Sequence, residues 1–354
     1  MKKNKLVAIV LAAGEGTRMK SSLPKVMHKI CGKPMLDYVL EAISTLTPQR
    51  ILLITGHKKE LIEQHTLGIA ECITQEKRLG TADAVKQAKD YLADFDGDVL
   101  VACGDTPLLT AQSLEMLVSV RKEKKAACVI LTSILDDPAG YGRIVRNNSG
   151  SISRIVEQKD ANPDEAKINE INTGTYCFDG KLLFESLKKV KNNNSQNEYY
   201  LTDVVEILSS EGHEVHSYIT NDPSETFGIN SRKQLADADK VMRMRVLDSL
   251  MKDGTTVIDP ETTFIDRGVK IGRDTIIQPF TIIKGNTTIG ENCEIGPNTQ
   301  ILNSTIADNC EINSSYITES EIEKNTQIVP FSIIKAGRKI NSSSGINLKR
   351  ISNL

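Results

Sequence analysis

The feature that most constrains the fold of this chain is a six-residue spacing of isoleucine in its last third. Isoleucine recurs at every sixth position at Ile265, Ile271, Ile277, Ile283, Ile289, Ile295 and Ile301. Steps of five or six continue through Ile306, Ile312, Ile317, Ile322, Ile328 and Ile334, and the step of six resumes at Ile340 and Ile346. An α-helix repeats every 3.6 residues and a strand every two, so neither explains a sustained six. The spacing predicts a hexapeptide-repeat β-helix with each isoleucine pointing to its axis.

Small residues strengthen this prediction. They stand four positions after many of these isoleucines, at Thr275, Thr281, Thr287, Cys293 and Thr299. Three short faces make one coil of about 18 residues, so residues 254–354 are expected to form roughly four to five coils.

The N-terminal stretch predicts a phosphate-binding loop. Leu6–Ala13 is an unbroken apolar run, typical of a strand buried on both faces, and Gly14-Glu15-Gly16 follows it directly. Glycines let the backbone approach a ligand closely, and successive N–H groups in such a loop bind anions. Arg18 and Lys25 add positive charge. The G-x-G-x-x-G dinucleotide pattern does not match, because Met19 stands where its third glycine is needed, and the Walker pattern G-x-x-x-x-G-K-[ST] has no match here either.

Up to about residue 230, apolar runs alternate with amphipathic segments, which indicates a doubly wound, mostly parallel sheet. Predicted strands include 50–55, 71–74, 99–102, 144–146, 152–157 and 175–178, and predicted helices include 34–46, 58–65, 81–91, 110–124 and 199–211, with Thr81 capping the third of these. Ligands of such sheets bind at the carboxyl ends of strands. Ala12–Arg18, Gln75–Thr81 and Cys103–Asp105 all fall at that edge. The polar and apolar pattern of 231–253 then indicates a connecting helix.

Composition excludes several classes of protein. The chain has 44 Lys and Arg against 46 Asp and Glu, which gives no reason to expect nucleic acid or an anionic membrane as a partner. No apolar run approaches the length of a transmembrane helix or forms a signal peptide. The seven cysteines are scattered without a C-x-x-C pair, so we expect reduced thiols and a cytoplasmic protein.

The motif L-A-A-G-x-G-T-R-M-x(5)-P-K, beginning at Leu11, resembles the sugar nucleotidyltransferase family, whose members join a nucleoside triphosphate to a sugar 1-phosphate and release pyrophosphate. Further motifs carry the resemblance over residues 5–340, among them Leu-Gly-Thr-Ala, Gly-Asp-Thr-Pro-Leu, Gly-Tyr-Gly-Arg-Ile, Glu-Ile-Asn-Thr-Gly and Gly-Ile-Asn-Ser-Arg. Together with the hexapeptide repeats, they resemble the bifunctional N-acetylglucosamine-1-phosphate uridylyltransferases that also acetylate glucosamine 1-phosphate. The fold class expected is α/β: a Rossmann-like doubly wound sheet in residues 1–230, a connecting helix in 231–253 and a left-handed parallel β-helix in 254–354.

The resemblance implies a set of site residues. Leu11, Ala12, Ala13 and Gly14 would hold the uridine nucleotide, and Gln75, Gly80 and Thr81 would read the uracil. Arg18 and Lys25 would bind the triphosphate, with Asp105 as a catalytic partner. Asp105 and Asn230 would hold Mg²⁺. Gly142, Glu157, Asn172 and Thr173 would recognise the sugar. Cys103 and Gly104 would line the same substrate site, although many members of the family carry a tyrosine in place of Cys103.

The chemistry is consistent with these residue types. A sugar 1-phosphate has a second pKa of about 6, so the attacking oxygen is already ionised at neutral pH and needs no general base. The reaction needs its negative charge screened, which a divalent cation, a guanidinium and an ammonium group provide. Asp105 supplies the hard oxygen ligand that Mg²⁺ prefers, and Asn230 a neutral carbonyl oxygen.

The chain departs from these bifunctional enzymes in its last residues. Their acetyl-transfer half continues beyond the point that corresponds to Leu354, and no histidine follows His216 here. We therefore expect uridylyl transfer without acetyl transfer, and a β-helix that assembles a homotrimer. Three alternatives remain: a nucleotidyltransferase for another sugar 1-phosphate or nucleotide, a bifunctional enzyme with an unfamiliar acetyl site, and a non-catalytic regulatory subunit that binds nucleotide sugars.

Overall fold

The computed structural model describes residues 5–93 and 95–341. Within them the chain forms two compact units. The first contains the described residues up to His28 together with Pro34–Ala238, and the second contains Lys29–Lys33 together with the residues from Asp239 onward.

The first unit alternates strands and helices. Its strands are β1 (Leu6–Leu11), β4 (Arg50–Thr55), β5 (Glu71–Thr74), β6 (Asp98–Cys103), β7 (Cys128–Ile134), β8 (Gly142–Arg146), β9 (Ile152–Val156), β10 (Glu170–Asp179) and β11 (Val215–Ile219). The short pair β2 (Lys29–Ile30) and β3 (Lys33–Pro34), between β1 and β4 in the chain, falls in the segment Lys29–Lys33 of the second unit except for Pro34. Its helices are α1 (Met35–Ser44), α2 (Lys59–His65), α3 (Thr81–Lys86), α4 (Ala111–Lys124), α5 (Gly180–Leu187) and α6 (Asp203–Ser210), followed by α7 (Arg232–Lys252), which runs on into the second unit.

The main sheet has the order β11-β7-β10-β6-β1-β4-β5, and the pair β8-β9 joins it through β10. β6, β1, β4 and β5 are parallel, as are β7 and β11, whereas β10 runs antiparallel to β6 and β7. One apolar cluster packs on each face of the sheet, with Ile9 in one and Val10 in the other. The mostly parallel α/β sheet predicted from the sequence is thus confirmed.

The sequence prediction was wrong around α3. This helix ends at Lys86 and a separate 3₁₀ turn covers Lys89–Leu92, so it does not continue to residue 91. Thr81 does not cap it either. Its Oγ1 accepts a hydrogen bond of 2.9 Å from the backbone N–H of Leu201. The predicted helix 199–211 begins only at Asp203, because the residues before it make these contacts with the start of α3.

The second unit is a stack of coils with three flat faces. Its strands form three parallel five-stranded sheets, which we name face 1 (β12-β15-β18-β21-β24), face 2 (β13-β16-β19-β22-β25) and face 3 (β14-β17-β20-β23-β26). The strands are β12 (Thr256–Val257), β13 (Phe264–Ile265), β14 (Lys270–Ile271), β15 (Ile276–Ile277), β16 (Ile282–Lys284), β17 (Thr288–Ile289), β18 (Glu294–Ile295), β19 (Gln300–Leu302), β20 (Thr305–Ile306), β21 (Glu311–Ile312), β22 (Tyr316–Thr318), β23 (Glu321–Ile322), β24 (Gln327–Ile328), β25 (Ile333–Ile334) and β26 (Lys339–Ile340).

The repeated isoleucines form the interior of this stack. Ile277, Ile295 and Ile312 are fully buried on face 1, and each pairs with the isoleucine of the next coil. The small residues expected between them, such as Thr281 and Cys293, are buried at the corners. The predicted hexapeptide β-helix is confirmed, and Ile346 lies outside the described residues. No helix among residues 5–93 and 95–341 has the length and apolarity to cross a bilayer.

The three faces differ in the side chains they turn outward. The first residue of each strand points outward, and it is polar in every strand of face 3 and in every strand of face 1 except β15, where it is Ile276. On face 1, Ile258 and Val329, which directly follow β12 and β24, are also exposed. On face 2 the column of first residues reads Phe264, Ile282, Gln300, Tyr316 and Ile333, and Lys284, Leu302 and Thr318 follow the buried isoleucines of the three middle strands. Face 2 is therefore the apolar outer face of the coil stack.

Candidate active site

The loops after β1, β4, β5 and β6 meet at the carboxyl edge of the parallel strands. Backbone hydrogen bonds tie them together. Ala12 N–H donates to Ile54 O at 2.8 Å, Gly104 N–H to Leu11 O at 2.9 Å and Gln75 N–H to Thr55 O at 2.8 Å. A cleft of about 560 Å³ opens between these loops. The segments after β1, β5 and β6 contribute predicted site residues to its lining, whereas the loop after β4 contributes none. These lining residues are Leu11, Ala12, Ala13, Gly14, Lys25, Gln75, Gly80, Thr81, Cys103 and Asp105.

The glycine loop brings Lys25 to this cleft. Gly16 has φ of 65°, a left-handed conformation that favours glycine. A Cβ on Gly16 would lie 2.7 Å from Cβ of Lys25, so no larger residue fits without moving the lysine. At Gly14, in contrast, a Cβ would meet nothing within 4 Å, which leaves that part of the loop backbone open toward the cleft.

Lys25, Asp105 and Asn230 converge on one point. The Lys25 ammonium donates a short hydrogen bond to Oδ2 of Asp105 and another of 2.9 Å to Oδ1 of Asn230. The Lys25 and Asp105 side chains are only 12% and 18% exposed. Asn230 is brought there by its neighbour Ile229, whose N–H donates to Asp105 O at 2.9 Å. Asp105 and Asn230, the two predicted metal ligands, are 125 positions apart in the chain and thus both accept hydrogen bonds from the Lys25 ammonium group.

The oxygen atoms of Asp105 and Asn230 fit a divalent cation. Both already point at a position where a positive group lies. One carboxylate and one amide carbonyl form an incomplete ligand set, and Mg²⁺ is commonly bound by one or two protein oxygens, with water and substrate phosphates completing its coordination. Among residues 5–93 and 95–341, no three His, Cys, Asp or Glu side chains cluster in a way that would hold a metal ion without substrate.

Gln75 also lines the cleft, and its side chain is fixed by hydrogen bonds. Its Nε2 donates to Gly80 O at 3.2 Å and to Oδ2 of Asp83 at 2.8 Å, and the residue is 5% exposed. This arrangement leaves Oε1 as the acceptor that the amide can offer to a ligand. Gly80 has φ of 119°, and a Cβ there would lie 2.4 Å from Tyr199 O, so the turn that presents Gln75 requires glycine.

The predicted sugar residues come together on the β8-β9-β10 side of the sheet. Asn172 of β10 is paired with Gly142 of β8, and Glu157 directly follows β9, whose Val156 is paired with Arg143. Three antiparallel strands close together in sequence therefore bring Gly142, Glu157 and Asn172 to neighbouring positions. None of the three belongs to the lining of the 560 Å³ cleft.

The side chains of this group are held by the protein itself. Asn172 Nδ2 donates to the Tyr176 hydroxyl at 2.8 Å, and Asn172 Oδ1 accepts from Gly174 N–H at 3.2 Å. The Thr173 hydroxyl donates to Leu131 O at 2.8 Å, so it fixes the strand instead of facing a ligand. Burial, more than the nearby carboxylates, raises the pKa of Glu157, whose Oε1 accepts a 3.3 Å hydrogen bond from the Thr202 hydroxyl.

Arg18 stands apart from the cleft. It lies in the 3₁₀ turn Thr17–Met19, its side chain is exposed, and it is absent from the described cleft lining. The structure does not bring it to the position expected of a phosphate-binding residue in the free protein.

Cys103 lies in the cleft but is not a reactive thiol. Burial, and secondarily the Asp105 charge, raise its pKa to about 12, so the thiol is protonated at neutral pH. Its Sγ lies 3.8 Å from Gly174 O. The side chain therefore contributes shape to the cleft and no nucleophile.

Sequence reasoning missed Glu15 and Arg78, which both line the cleft. Arg78 Nη1 donates to Oε2 of Glu15 at 2.7 Å. A signal existed, because Arg78 is a basic residue within the loop Gln75–Thr81, which was assigned to the ligand-binding edge of the sheet. Tyr141, in the loop before β8, is not part of the cleft lining. Burial raises the pKa of its hydroxyl, and the Asp105 charge adds to that effect.

Comparison with known proteins agrees with this geometry. Residues 7–224 match the family model described as nucleotidyl transferase, and residues 268–303 match the model of bacterial transferase hexapeptide repeats. The chain is 47% identical to the bifunctional protein GlmU of Listeria welshimeri over 339 residues, 96% of this chain and 74% of the relative. It is 48% identical to the GlmU proteins of Geobacillus thermodenitrificans over 337 residues (95% and 73%) and of Latilactobacillus sakei over 333 residues (94% and 72%).

The glycine loop at the parallel sheet edge, Lys25 and Asp105 all lie within the residues matched by the nucleotidyl transferase model, and the central coils lie within those matched by the hexapeptide model. The chain belongs to the nucleotidyl transferase family, as a nucleotidyltransferase of the GlmU type.

Proposed function

We propose that the chain transfers the uridylyl group of UTP to N-acetylglucosamine 1-phosphate, which yields UDP-N-acetylglucosamine and pyrophosphate. One observation carries the proposal: the open glycine loop, Lys25, Asp105 and a fixed Gln75 line one cleft, and Asn230 is hydrogen-bonded to that Lys25. An anion site, a cation site and a base reader are the parts that such a transfer requires.

The fixed amide of Gln75 supports uridine over cytidine. Because Nε2 is held by Gly80 O and Asp83, Oε1 is the atom that can accept a hydrogen bond from a base. Uracil presents an N3–H donor, whereas cytosine presents an acceptor at N3, which would face Oε1 without a proton between them. A thymine base would satisfy the same contact, so base profiling includes dTTP.

The transfer itself depends on charge. The phosphate of the sugar is already mostly ionised at neutral pH, so the protein has to bring two anions together and stabilise the pyrophosphate that leaves. Lys25 lies in the cleft with its side chain mostly buried, where electrostatic interactions are stronger than in water. Its hydrogen bonds to Asp105 and Asn230 hold the ammonium in one place, so little reorganisation is needed when phosphate arrives.

Members of this family generally use a divalent metal ion, and we propose Mg²⁺ held by Asp105 and Asn230. When bound, the ion screens the phosphate oxygens during the transfer. On the sugar side, the raised pKa of Glu157 and the oriented amide of Asn172 support hydrogen bonds to sugar hydroxyls and to the N-acetyl group.

Release of pyrophosphate from UTP, dTTP and CTP with a panel of sugar 1-phosphates and Mg²⁺ tests the proposal. We expect UTP with N-acetylglucosamine 1-phosphate to be the preferred pair, and Asp105→Asn to lower kcat by about 100-fold or more. Asp96→Asn is the matched control, because Asp96 also pairs with a lysine, Lys5, but at the surface. Preference for another pair, or a fully active Asp105→Asn variant that remains folded by circular dichroism, would refute it.

We further propose that the 354-residue polypeptide lacks acetyl transfer. No histidine follows His216 in it, so its β-helix offers no imidazole to deprotonate an amino group. A second arm of the same assay supplies glucosamine 1-phosphate and acetyl-CoA, and acetylated product would contradict this part of the proposal.

The hexapeptide repeats suggest oligomerisation, and we propose a homotrimer. The outward apolar column of face 2 supports this proposal. Tyr316 and Ile333 are 41% and 50% exposed in the single chain, and burying them against neighbouring copies would lower the free energy of the assembly.

A further inference from the structure

An ion pair joins the two loops at the mouth of the nucleotide cleft. Glu15 lies in the glycine loop after β1, and Arg78 lies in the loop between β5 and α3. Their side chains are 44% and 46% exposed, and Arg78 Nη1 contacts Oε2 of Glu15 at 2.7 Å. Both residues line the cleft. This contact therefore places the guanidinium of Arg78, which belongs to the loop between β5 and α3, beside the glycine loop that follows β1.

The charges of the cleft give this guanidinium a role. Among the described residues that line it, Lys25 and Arg78 are the basic ones. Lys25 is already engaged by Asp105 and Asn230, and Arg18 lies outside the lining. A triphosphate carries several negative charges, so a second cation beside the glycine loop is needed, and Arg78 is the side chain that occupies this position.

We propose that Arg78 binds the phosphate chain of the nucleotide and that Glu15 is a positioning residue that holds the guanidinium beside the glycine loop. The proposal rests on the proposed function in taking the ligand to be a nucleoside triphosphate. It adds Arg78, which lies outside the glycine-loop motif, to the expected phosphate-binding residues Arg18 and Lys25.

The backbone of the Arg78 loop is anchored on both sides of the residue. Gln75 N–H is bonded to Thr55 O, and Leu79 O accepts a hydrogen bond of 2.7 Å from Tyr199 N–H. Because the backbone is held, the position of the guanidinium depends on its side-chain partner. The Glu15 carboxylate is that partner in the free protein.

The pair is suited to exchange. Half-exposed ion pairs are weak because water screens them, whereas a guanidinium can offer two parallel N–H donors to a phosphate. The contact with Glu15 uses Nη1, and a guanidinium has five N–H donors. Arg78 can therefore reach a phosphate while it remains near Glu15, which also neutralises a carboxylate that would otherwise repel the ligand.

Isothermal titration with UTP, inorganic pyrophosphate and uridine, in buffer containing Mg²⁺, tests the proposal. We expect Arg78→Gln to weaken UTP and pyrophosphate binding by about 10- to 100-fold and to leave uridine binding unchanged. Arg78→Lys should retain part of the affinity, because an ammonium supplies charge without the bidentate fork. Glu15→Gln should weaken UTP binding less than Arg78→Gln does, and Glu15→Asp should restore it.

Arg50→Gln is the matched control. Arg50 also pairs with a glutamate, Glu71, in the first unit, with side chains 34% and 51% exposed, and neither lines the nucleotide cleft. Unchanged UTP affinity in Arg78→Gln would overturn the proposal, as would equal losses for UTP and uridine. If UTP binds but is not transferred to a sugar phosphate, the proposed function fails while the loss in Arg78→Gln still supports this inference. If the wild type binds neither UTP nor pyrophosphate, both fall.

Discussion

At the scale of single residues, the site depends on one glycine as much as on its charged groups. Gly16 combines a left-handed backbone with a contact so close that an added Cβ would lie 2.7 Å from Cβ of Lys25. The two residues are nine positions apart, and the chain returns so that Lys25 packs directly against the loop. The position of the ammonium between Asp105 and Asn230 therefore depends on the missing side chain of Gly16.

Replacing Gly16 by alanine should impair catalysis more than stability. The left-handed conformation costs alanine about 1 kcal/mol, and the clash displaces Lys25, which should lower kcat by about tenfold or more. Gly150→Ala is the control, since Gly150 has φ of 82° and open space around its Cβ. It should lose similar stability and no activity. Steady-state kinetics and thermal unfolding of both variants measure this, and equal activity would show that the clash is harmless.

Much of this site was predictable from the sequence because its residues follow strands directly. Leu11–Gly14, Gln75 and Asp105 stand at strand ends, and the parallel order of the strands brings such ends together. The Glu15–Arg78 pair, 63 positions apart, was not predictable in this way. Its contact depends on side-chain directions in two loops, which hydrophobic periodicity does not encode.

At the scale of elements, the coil strands alternate between interior and exterior within two residues. Ile276 and Ile277 are neighbours in β15 with the same side chain, but Ile276 is 36% exposed and Ile277 is fully buried. The six-residue spacing includes Ile277 and omits Ile276. Strand geometry makes adjacent side chains point to opposite faces, so the spacing separates the two roles.

Truncating these two isoleucines should give unequal losses. Ile277→Ala should cost about 2–5 kcal/mol through the cavity it leaves, whereas Ile276→Ala should stay within about 1 kcal/mol. Urea unfolding followed by circular dichroism measures both, and since the side chain is the same, the difference reports burial alone. Similar losses for the two variants would contradict an axial role for the repeated isoleucines.

Other elements were predicted only in part, for a physical reason. β10 runs over Glu170–Asp179, while sequence patterning identified only residues 175–178. This strand shifts register between Asn172 and Tyr176, and its first residues pair with β8 as well as β7. The polar residues that form this part of the strand do not alternate in the way a regular strand does, so the pattern could not extend the prediction to them.

At the scale of the whole molecule, each unit has its own apolar core, and the second unit also has an apolar exterior on face 2. The sequence predicted the interior of the β-helix but not which face would be apolar outside. That property emerges only when Phe264, Ile282, Gln300, Tyr316 and Ile333, which follow one another at intervals of 16 to 18 residues, are stacked in one column.

If the protein forms the proposed homotrimer through face 2, placing charge on that face should dissociate it. We expect the double variant Tyr316→Glu with Ile333→Glu to sediment as a monomer under conditions in which the wild type is a trimer, because burying carboxylates in an apolar interface is costly. The control is Thr288→Glu with Thr305→Glu, which adds the same charge to the exposed, polar face 3. Trimers in both variants, or monomers in both, would show that face 2 is not the contact surface.

The coil ladder has a consequence for how such a domain can change over generations. Each strand pairs only with the strand above and the strand below it, and spacings of 16, 17 and 18 residues between stacked strands are all accommodated, as from Gln300 to Tyr316, Tyr316 to Ile333 and Ile282 to Gln300. Deletion or duplication of the gene segment that encodes one coil would therefore bring strands with compatible pairing edges together and leave the other coils intact. Gain or loss of whole coils is thus the change in length that disrupts this domain least as related genes diverge.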